Sequence, residues 1–79
     1  MSIKLTLFTK EKCGLCEEAK EAIHLLQSDY EIEVNEIDIY SDDALLEEYQ
    51  LIIPVIQMNG ETVAYGRIHK IDILNAING

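Results

Sequence analysis

The segment KLTLFTKEKCGLCEEAKEAI, residues 4 to 23, decides the fold because it joins an apolar strand to a charged helix through two cysteines. Leu5 and Leu7 alternate with polar neighbours, a pattern typical of a strand with at least one buried face. From Cys13 the apolar residues recur at helical spacing, and Cys16 lies on the apolar face. Both cysteines are therefore expected where a strand ends and a helix begins.

The rest of the sequence predicts the element order β-α-β-α-β-β-α. A strand, a helix and a strand in succession predict a right-handed parallel unit. Asn59-Gly60 between two short apolar runs is a strong signal for an antiparallel hairpin. We therefore expect an α/β fold with a mixed sheet and helices on both faces. The predicted strands cover 3–8, 30–40, 55–58 and 62–65, and the predicted helices run from 13 to a break at 28, from 42 to 49 and from 68 to 78.

Three local expectations follow from the same patterns. The apolar phase of the second strand shifts between Val34 and Ile37, which suggests an irregularity near Asn35. Ser41 or Asp42 is a suitable N-cap for the second helix. The side chains expected to face inward are Ala44, Leu45 and Leu46 in the second helix and Ile68, Ile71, Leu74 and Ile77 in the third.

The length and charge of the chain limit its class. With 79 residues, we expect one domain, 1–79, and a monomer. Fifteen Asp and Glu against six Lys and Arg leave a formal charge of -9, which disfavours nucleic acid and anionic membranes as partners. The sequence has no apolar run of about 18 residues and no signal-peptide pattern, so we expect a cytoplasmic protein without a membrane segment.

A structural bridge, a metal site and a redox pair all use the spacing of Cys13 and Cys16. A bridge between cysteines three positions apart closes too small a loop to stabilise the fold much, and cytosolic disulfides are usually transient and catalytic. A zinc site needs four ligands, and His24 and His69 do not complete a known ligand pattern. Redox chemistry is the favoured interpretation, with metal binding or an incidental pair as the alternatives.

The position of Cys13 favours reactivity. At the start of a helix it faces unpaired N–H groups and the positive end of the helix dipole, which favour thiolate over thiol. Lys10 and Lys12 add positive charge nearby. We therefore predict that Cys13 is the nucleophile and that Cys16, one turn later, is the resolving thiol. Leu15 offers an exposed apolar contact for a substrate.

Pro54 gives a second, independent indication. A proline at the entrance of a strand is compatible with either isomer, and trans is the commoner one in general. Together with the cysteine pair, we favour cis at Ile53-Pro54. In that arrangement the Ile53 backbone is left unpaired beside Cys13, where an extended substrate can add like a strand.

The motifs FTKEKCGLCEEAK at 8–20, IIP at 52–54 and NGE at 59–61 resemble those of glutaredoxins, in the thioredoxin superfamily, and the similarity covers nearly the whole chain. The resemblance implies a four-stranded mixed sheet flanked by three helices and thiol-disulfide exchange, often with glutathione. It implies that Cys13 is the nucleophile and Cys16 the resolving thiol. It also implies that Lys10 aids the thiolate and glutathione, and that Ile53 and Pro54, in cis, dock the substrate.

Departures from the family pattern bear on the electron donor. Gly14-Leu15 stands in place of Pro-Tyr between the cysteines, and AYGRI at 64–68 replaces the segment that receives glutathione. Tyr65, Gly66 and Arg67 are the candidate substrate contacts there, although packing or plain exposure also accounts for Tyr65 and Arg67. The expected donors are glutathione, as a co-substrate, or a flavoprotein thioredoxin reductase. The expected partners are disulfide-containing proteins or small thiols, with no bound cofactor or metal.

Two other functions stay open on the sequence alone. In the first, the fold is a non-catalytic binding module that presents Ile53-Pro54 to a partner, and the cysteines have lost their role. In the second, the thiols reduce a small oxidant such as arsenate, with an anion site at Arg67 or Lys12. Rapid alkylation of Cys13 near neutral pH separates the enzyme from the module, and an arsenate assay tests the other alternative.

Overall fold

The computed structural model describes residues 2–79, and Met1 lies outside the described residues. It confirms the thioredoxin-like α/β fold and the element order predicted from the sequence. Among residues 2–79, none of the helices has the length and apolar character needed to cross a membrane. The strands are β1 (Ile3–Thr9), β2 (Ile32–Asp38), β3 (Val55–Met58) and β4 (Glu61–Tyr65), and the helices are α1 (Gly14–Leu26), α2 (Asp43–Tyr49) and α3 (Lys70–Asn78).

The four strands form one mixed sheet in the order β2-β1-β3-β4. The hairpin turn between β3 and β4 forms where predicted because Asn59 and Gly60 both adopt positive φ, 56° and 80°, as a tight turn between two twisted strands requires. β1 is parallel to β2 and antiparallel to β3, and β3 is antiparallel to β4. Because β1 and β2 are parallel, their carboxyl ends lie at the same edge of the sheet, next to the start of α1.

Apolar side chains pack on both faces of the sheet. The first core lies between the sheet and the pair α1 and α3, and the second core lies between the sheet and α2. Alternation along β1 sends Leu7 into the first core and Phe8 into the second. The second core consists of Phe8, Cys16, Ile39, Tyr49, Ile53 and Val55, with Cys13 packed against it.

The irregularity expected near Asn35 is absent from β2. Its pairing with β1 runs without a shift from Ile32 to Asp38. Val34 packs against the first core and Ile37 against the second, so the change of apolar phase reflects burial on both faces of a regular strand. The register shift lies in the hairpin, between Ile56 and Gln57.

Two inward-facing assignments are wrong. Ala44 is exposed, while Leu45 and Leu46 are partly buried as expected. In α3, Ile71 is 57% exposed and Ile73 is fully buried, so the buried face is rotated from the predicted one. Asp42, the second of the two N-cap candidates, caps α2 by accepting a hydrogen bond from the Ala44 amide at 2.8 Å.

Tyr49 links α2 to the sheet beneath the cysteine pair. Its ring stacks on Phe8 with the centroids 4.5 Å apart, and its hydroxyl accepts a hydrogen bond from Gln57 Nε2 at 3.1 Å. We expect Tyr49→Phe to lower the free energy of unfolding by about 1 kcal/mol, because the ring packing stays and Gln57 Nε2 keeps only its longer hydrogen bond to Thr62 Oγ1, at 3.5 Å. Urea unfolding checks this, with Tyr40→Phe as the matched control, since Tyr40 is 63% exposed and its loss of a hydroxyl should cost nothing measurable.

Candidate active site

Cys13 and Cys16 lie at the amino end of α1, where they form a disulfide with Cα atoms 5.2 Å apart. Cys13 is the N-cap residue, with extended φ and ψ of -119° and 109°. Its Sγ accepts a hydrogen bond from the Cys16 amide at 3.2 Å, so the sulfur takes the place that a serine or aspartate oxygen has in an ordinary helix cap. An N–H group of the first turn, which has no partner within the helix, thus points at the sulfur and favours negative charge on it.

The two cysteine residues differ in exposure. Cys16 is fully buried in the second core, whereas Cys13 is partly exposed at its border, and Leu15 between them is half-buried. Cys13 is therefore the more accessible residue of the pair. This asymmetry comes from the helix period, which directs the residue three positions after the cap toward the core.

The loop before Cys13 holds the two predicted lysines. Lys12 has a positive φ of 54°, a left-handed backbone that a residue with a Cβ adopts only at a cost of about 1 kcal/mol. A cleft of about 410 Å³ opens beside this loop and reaches the carboxyl end of β2. The residues that line it are Lys10, Glu11, Lys12, Asp38 and Tyr40.

Lys20 lies on α1 one turn beyond Cys16 and connects that helix to β2. Its Nζ is 3.2 Å from Glu36 Oε1 and 3.4 Å from Glu17 Oε1. The hydrogen bond with Glu36 raises the pKa of Lys20 above its ordinary value, and partial burial opposes this shift. Lys20 is therefore engaged by carboxylates, in contrast to Lys10 and Lys12, which make no ion pair with the described residues.

The Ile53-Pro54 segment crosses the same end of the sheet, and its peptide bond is cis, as predicted. Ile53 and Pro54 are buried, and Ile53 shares the second core with Cys16. The expectation of an unpaired Ile53 backbone is met only in part. Its N–H donates to the Tyr49 carbonyl at 3.1 Å, because α2 ends just before it, while its carbonyl accepts no hydrogen bond from residues 2–79.

The segment after β4 is fastened to the Ile53-Pro54 segment by one amide. Gly66 N–H donates to the carbonyls of Ile52 at 3.0 Å and Pro54 at 2.8 Å, and Gly66 has a positive φ of 73°. Tyr65 is 62% exposed next to it, so it is not a core residue of the hairpin end. Arg67 is exposed and forms no ion pair with any described residue. Tyr65, Gly66 and Ile53 thus lie at the same end of the sheet, the one that the Ile53-Pro54 segment crosses.

The two histidines lie apart from the cysteines. His24 is exposed on α1, and His69 is the N-cap of α3, where its N–H donates to Asp72 Oδ2 at 2.8 Å. Among residues 2–79, no three His, Cys, Asp or Glu side chains are grouped so that they could hold a metal ion.

Several features of the site had no signal in the sequence. The Gly66 hydrogen bonds and the Lys20 contact with Glu36 join residues far apart in the chain. Lys12 adopts a left-handed backbone conformation, which the sequence does not indicate because lysine has no preference for it. The cap on Cys13 was foreseeable, since a cysteine that opens a helix sits where cap side chains accept hydrogen bonds.

Comparisons with known proteins agree with this geometry. Residues 4–78 match the model of the family described as glutaredoxin-like domain (DUF836). A structural genomics target protein from X. campestris is 23% identical, with a TM-score of 0.80, and the alignment covers 94% of this chain and 95% of that one.

Two further solved structures are similar at lower TM-scores. A mutant thioredoxin from Halobacterium salinarum is 23% identical with a TM-score of 0.66, covering 96% of this chain and 72% of that one. The holo form of glutaredoxin C1 from populus tremula x tremuloides is 13% identical with a TM-score of 0.55, covering 94% and 73%. At these identities the similarity concerns the fold.

Proposed function

Since the chain belongs to the glutaredoxin-like domain family (DUF836), we propose that it catalyses thiol-disulfide exchange through Cys13 and Cys16. One observation carries the proposal. The Sγ of the partly exposed Cys13 caps α1 by accepting a hydrogen bond from the Cys16 amide at 3.2 Å, and it is bonded to a Cys16 that is fully buried. An accessible sulfur and a buried one at the start of a helix fit a nucleophile and a resolving thiol.

The reaction begins with the reduced pair. The Cys13 thiolate attacks one sulfur of a substrate disulfide, forms a mixed disulfide, and releases the other substrate sulfur as a thiolate that takes a proton from water. Cys16 then attacks the Cys13 sulfur, and the proton that its buried thiol gives up passes to the substrate thiolate that leaves. The intramolecular disulfide forms and the second substrate thiolate leaves and is protonated. Two electrons pass from the dithiol to the substrate, and two external thiols or one external dithiol then reduce the Cys13–Cys16 disulfide and are themselves oxidised to a disulfide.

The surrounding residues have supporting roles in this proposal. The Cys16 amide stabilises the Cys13 thiolate, as it does the capping sulfur here. Lys10 adds positive charge beside the cap and can attract an anionic thiol. The Ile53 carbonyl, which accepts no hydrogen bond from residues 2–79, can accept one from a backbone N–H of an extended substrate. Leu15, Tyr65 and Arg67 would contact the substrate side chains, whereas Pro54 is buried and would act only by holding Ile53 in place.

We propose glutathione or a flavoprotein thioredoxin reductase as the electron donor. The substrates would be disulfide-containing proteins or small disulfides, and the protein itself would bind no cofactor. The cytoplasm suits this chemistry, because reducing conditions there keep a pair of this kind in its reactive dithiol form.

A redox titration tests the proposal directly. The protein is equilibrated in glutathione buffers of varied potential, free thiols are alkylated, and the products are separated by mass. We expect a reversible two-thiol transition between about -120 and -270 mV, the range of known dithiol oxidoreductases. The absence of that transition, or stable capping of Cys13 by glutathione alone, would contradict the dithiol mechanism and favour the binding module or a single-thiol role.

A further inference from the structure

Three large apolar side chains are exposed beside the Ile53-Pro54 segment. Leu51 is 93% exposed, Tyr65 62% and Ile52 38%. The hydrogen bond from Gly66 N–H to the Ile52 carbonyl, 3.0 Å, holds the two chain segments together, so these residues lie on adjoining segments, and we call the three of them the docking patch. Single exposed apolar residues are ordinary, but a group of them adjoining Ile53, which shares the second core with Cys16 and has Cys13 packed against that core, indicates a contact with another molecule.

The charge at the Leu51 end of the docking patch is negative. Helix α2 ends two residues before Leu51, and its last turn carries the exposed Glu47 and Glu48 and no basic residue. The carbonyl end of a helix already has partial negative charge, so carboxylates there are unfavourable in the isolated protein. Neither glutamate forms an ion pair with residues 2–79, and Arg67 is the basic side chain nearest the patch in sequence.

We propose that the docking patch selects disulfide-bearing protein segments in which the reactive cysteine is flanked by an apolar residue and by Lys or Arg. The apolar residue covers Leu51, whose side chain buries almost nothing in the free protein. The cation offsets the carboxylates of Glu47 and Glu48 and the general charge of -9. This inference rests on the proposed function and adds a substrate class to it.

Two peptides test the inference. Each has one cysteine in a mixed disulfide with pyridine-2-thiol and a neighbouring leucine, and the flanking residues are lysines in one and glutamates in the other. The Cys13 thiolate attacks the peptide sulfur, the S–S bond to the pyridine breaks, and pyridine-2-thione leaves and is followed by its absorbance. We expect the lysine peptide to react on the order of tenfold faster at low salt, and the difference to shrink at about 1 M salt.

Variants then locate the effect. The double variant Glu47→Gln/Glu48→Gln should lose most of the preference for the lysine peptide. The control Glu31→Gln/Glu33→Gln also removes two negative charges, but at the start of β2, and should keep this preference. Leu51→Ser should slow the lysine peptide several-fold and leave a version with serine in place of the leucine unaffected. Circular dichroism checks that each variant is folded.

A small neutral disulfide, hydroxyethyl disulfide, separates the two proposals. Reduction of this compound together with equal rates for the two peptides, or a preference that the Glu31/Glu33 control also removes, would overturn the docking patch and leave the oxidoreductase standing. Failure to reduce any of the disulfides would overturn the proposed function and the inference with it. A preference lost only in the Glu47/Glu48 variant supports the inference.

Discussion

Replacing Cys13 by serine is expected to lower the rate of disulfide reduction by about a thousandfold or more, because a hydroxyl is a far weaker nucleophile than a thiolate near neutral pH. The fold should survive, since serine is a favourable N-cap residue and its oxygen can accept the Cys16 amide that Cys13 Sγ accepts at 3.2 Å. The measurement is the reduction of hydroxyethyl disulfide, with thermal unfolding to show that the variant is folded.

Cys16→Ala is the matched variant for Cys13→Ser. Alanine suits a fully buried, apolar position better than serine, whose hydroxyl would be left without a partner. Cys16→Ala should still attack a disulfide through Cys13 but accumulate the mixed disulfide, which mass spectrometry detects. If Cys13→Ser traps substrate and Cys16→Ala does not, the roles of the two cysteines are the reverse of those proposed.

A large loss of stability is expected from Ile73→Ala. Ile73 is fully buried in the first core, and an isoleucine truncated there costs about 3 kcal/mol in transfer free energy and cavity formation. A domain of 79 residues has a total stability of roughly 4 to 12 kcal/mol, so the loss is a large part of it. Urea unfolding followed by circular dichroism gives the value.

Ile71→Ala on the same helix is the control. Ile71 is 57% exposed, so removing the same atoms should change the free energy of unfolding by less than about 0.5 kcal/mol. Equal losses for the two variants, or a larger one for Ile71→Ala, would mean that α3 packs through the other face.

The contrast between Ile71 and Ile73 shows where sequence patterns reach their limit. Residues spaced by three, such as Ile68, Ile71 and Leu74, turn by about 300° per step, so each lies about 60° behind the last around the axis. In addition, α3 begins at Lys70, so Ile68 is not on the helix and cannot set its phase. A helix as short as α3 has too few turns for the sequence pattern to show which face is buried.

Other parts of the fold were predictable because one local cause decides them. The hairpin follows from Asn59-Gly60, which tolerate the positive φ that the turn needs. The place of the cysteines follows from the change of period at Cys13. The hydrogen bond from Ile53 N–H to the Tyr49 carbonyl depends instead on how α2 ends against β3, and no local sequence pattern encodes this.

The Gly66 amide, which donates to the carbonyls of both Ile52 and Pro54, determines which positions of this protein can change in sequence. These two hydrogen bonds use main-chain atoms only, so substitutions at residues 51, 52 and 65 leave them in place. Gly66 itself is constrained, since its φ of 73° suits a residue without a Cβ. Evolution or directed mutagenesis can therefore exchange the side chains around the redox pair while inheriting the same loop framework.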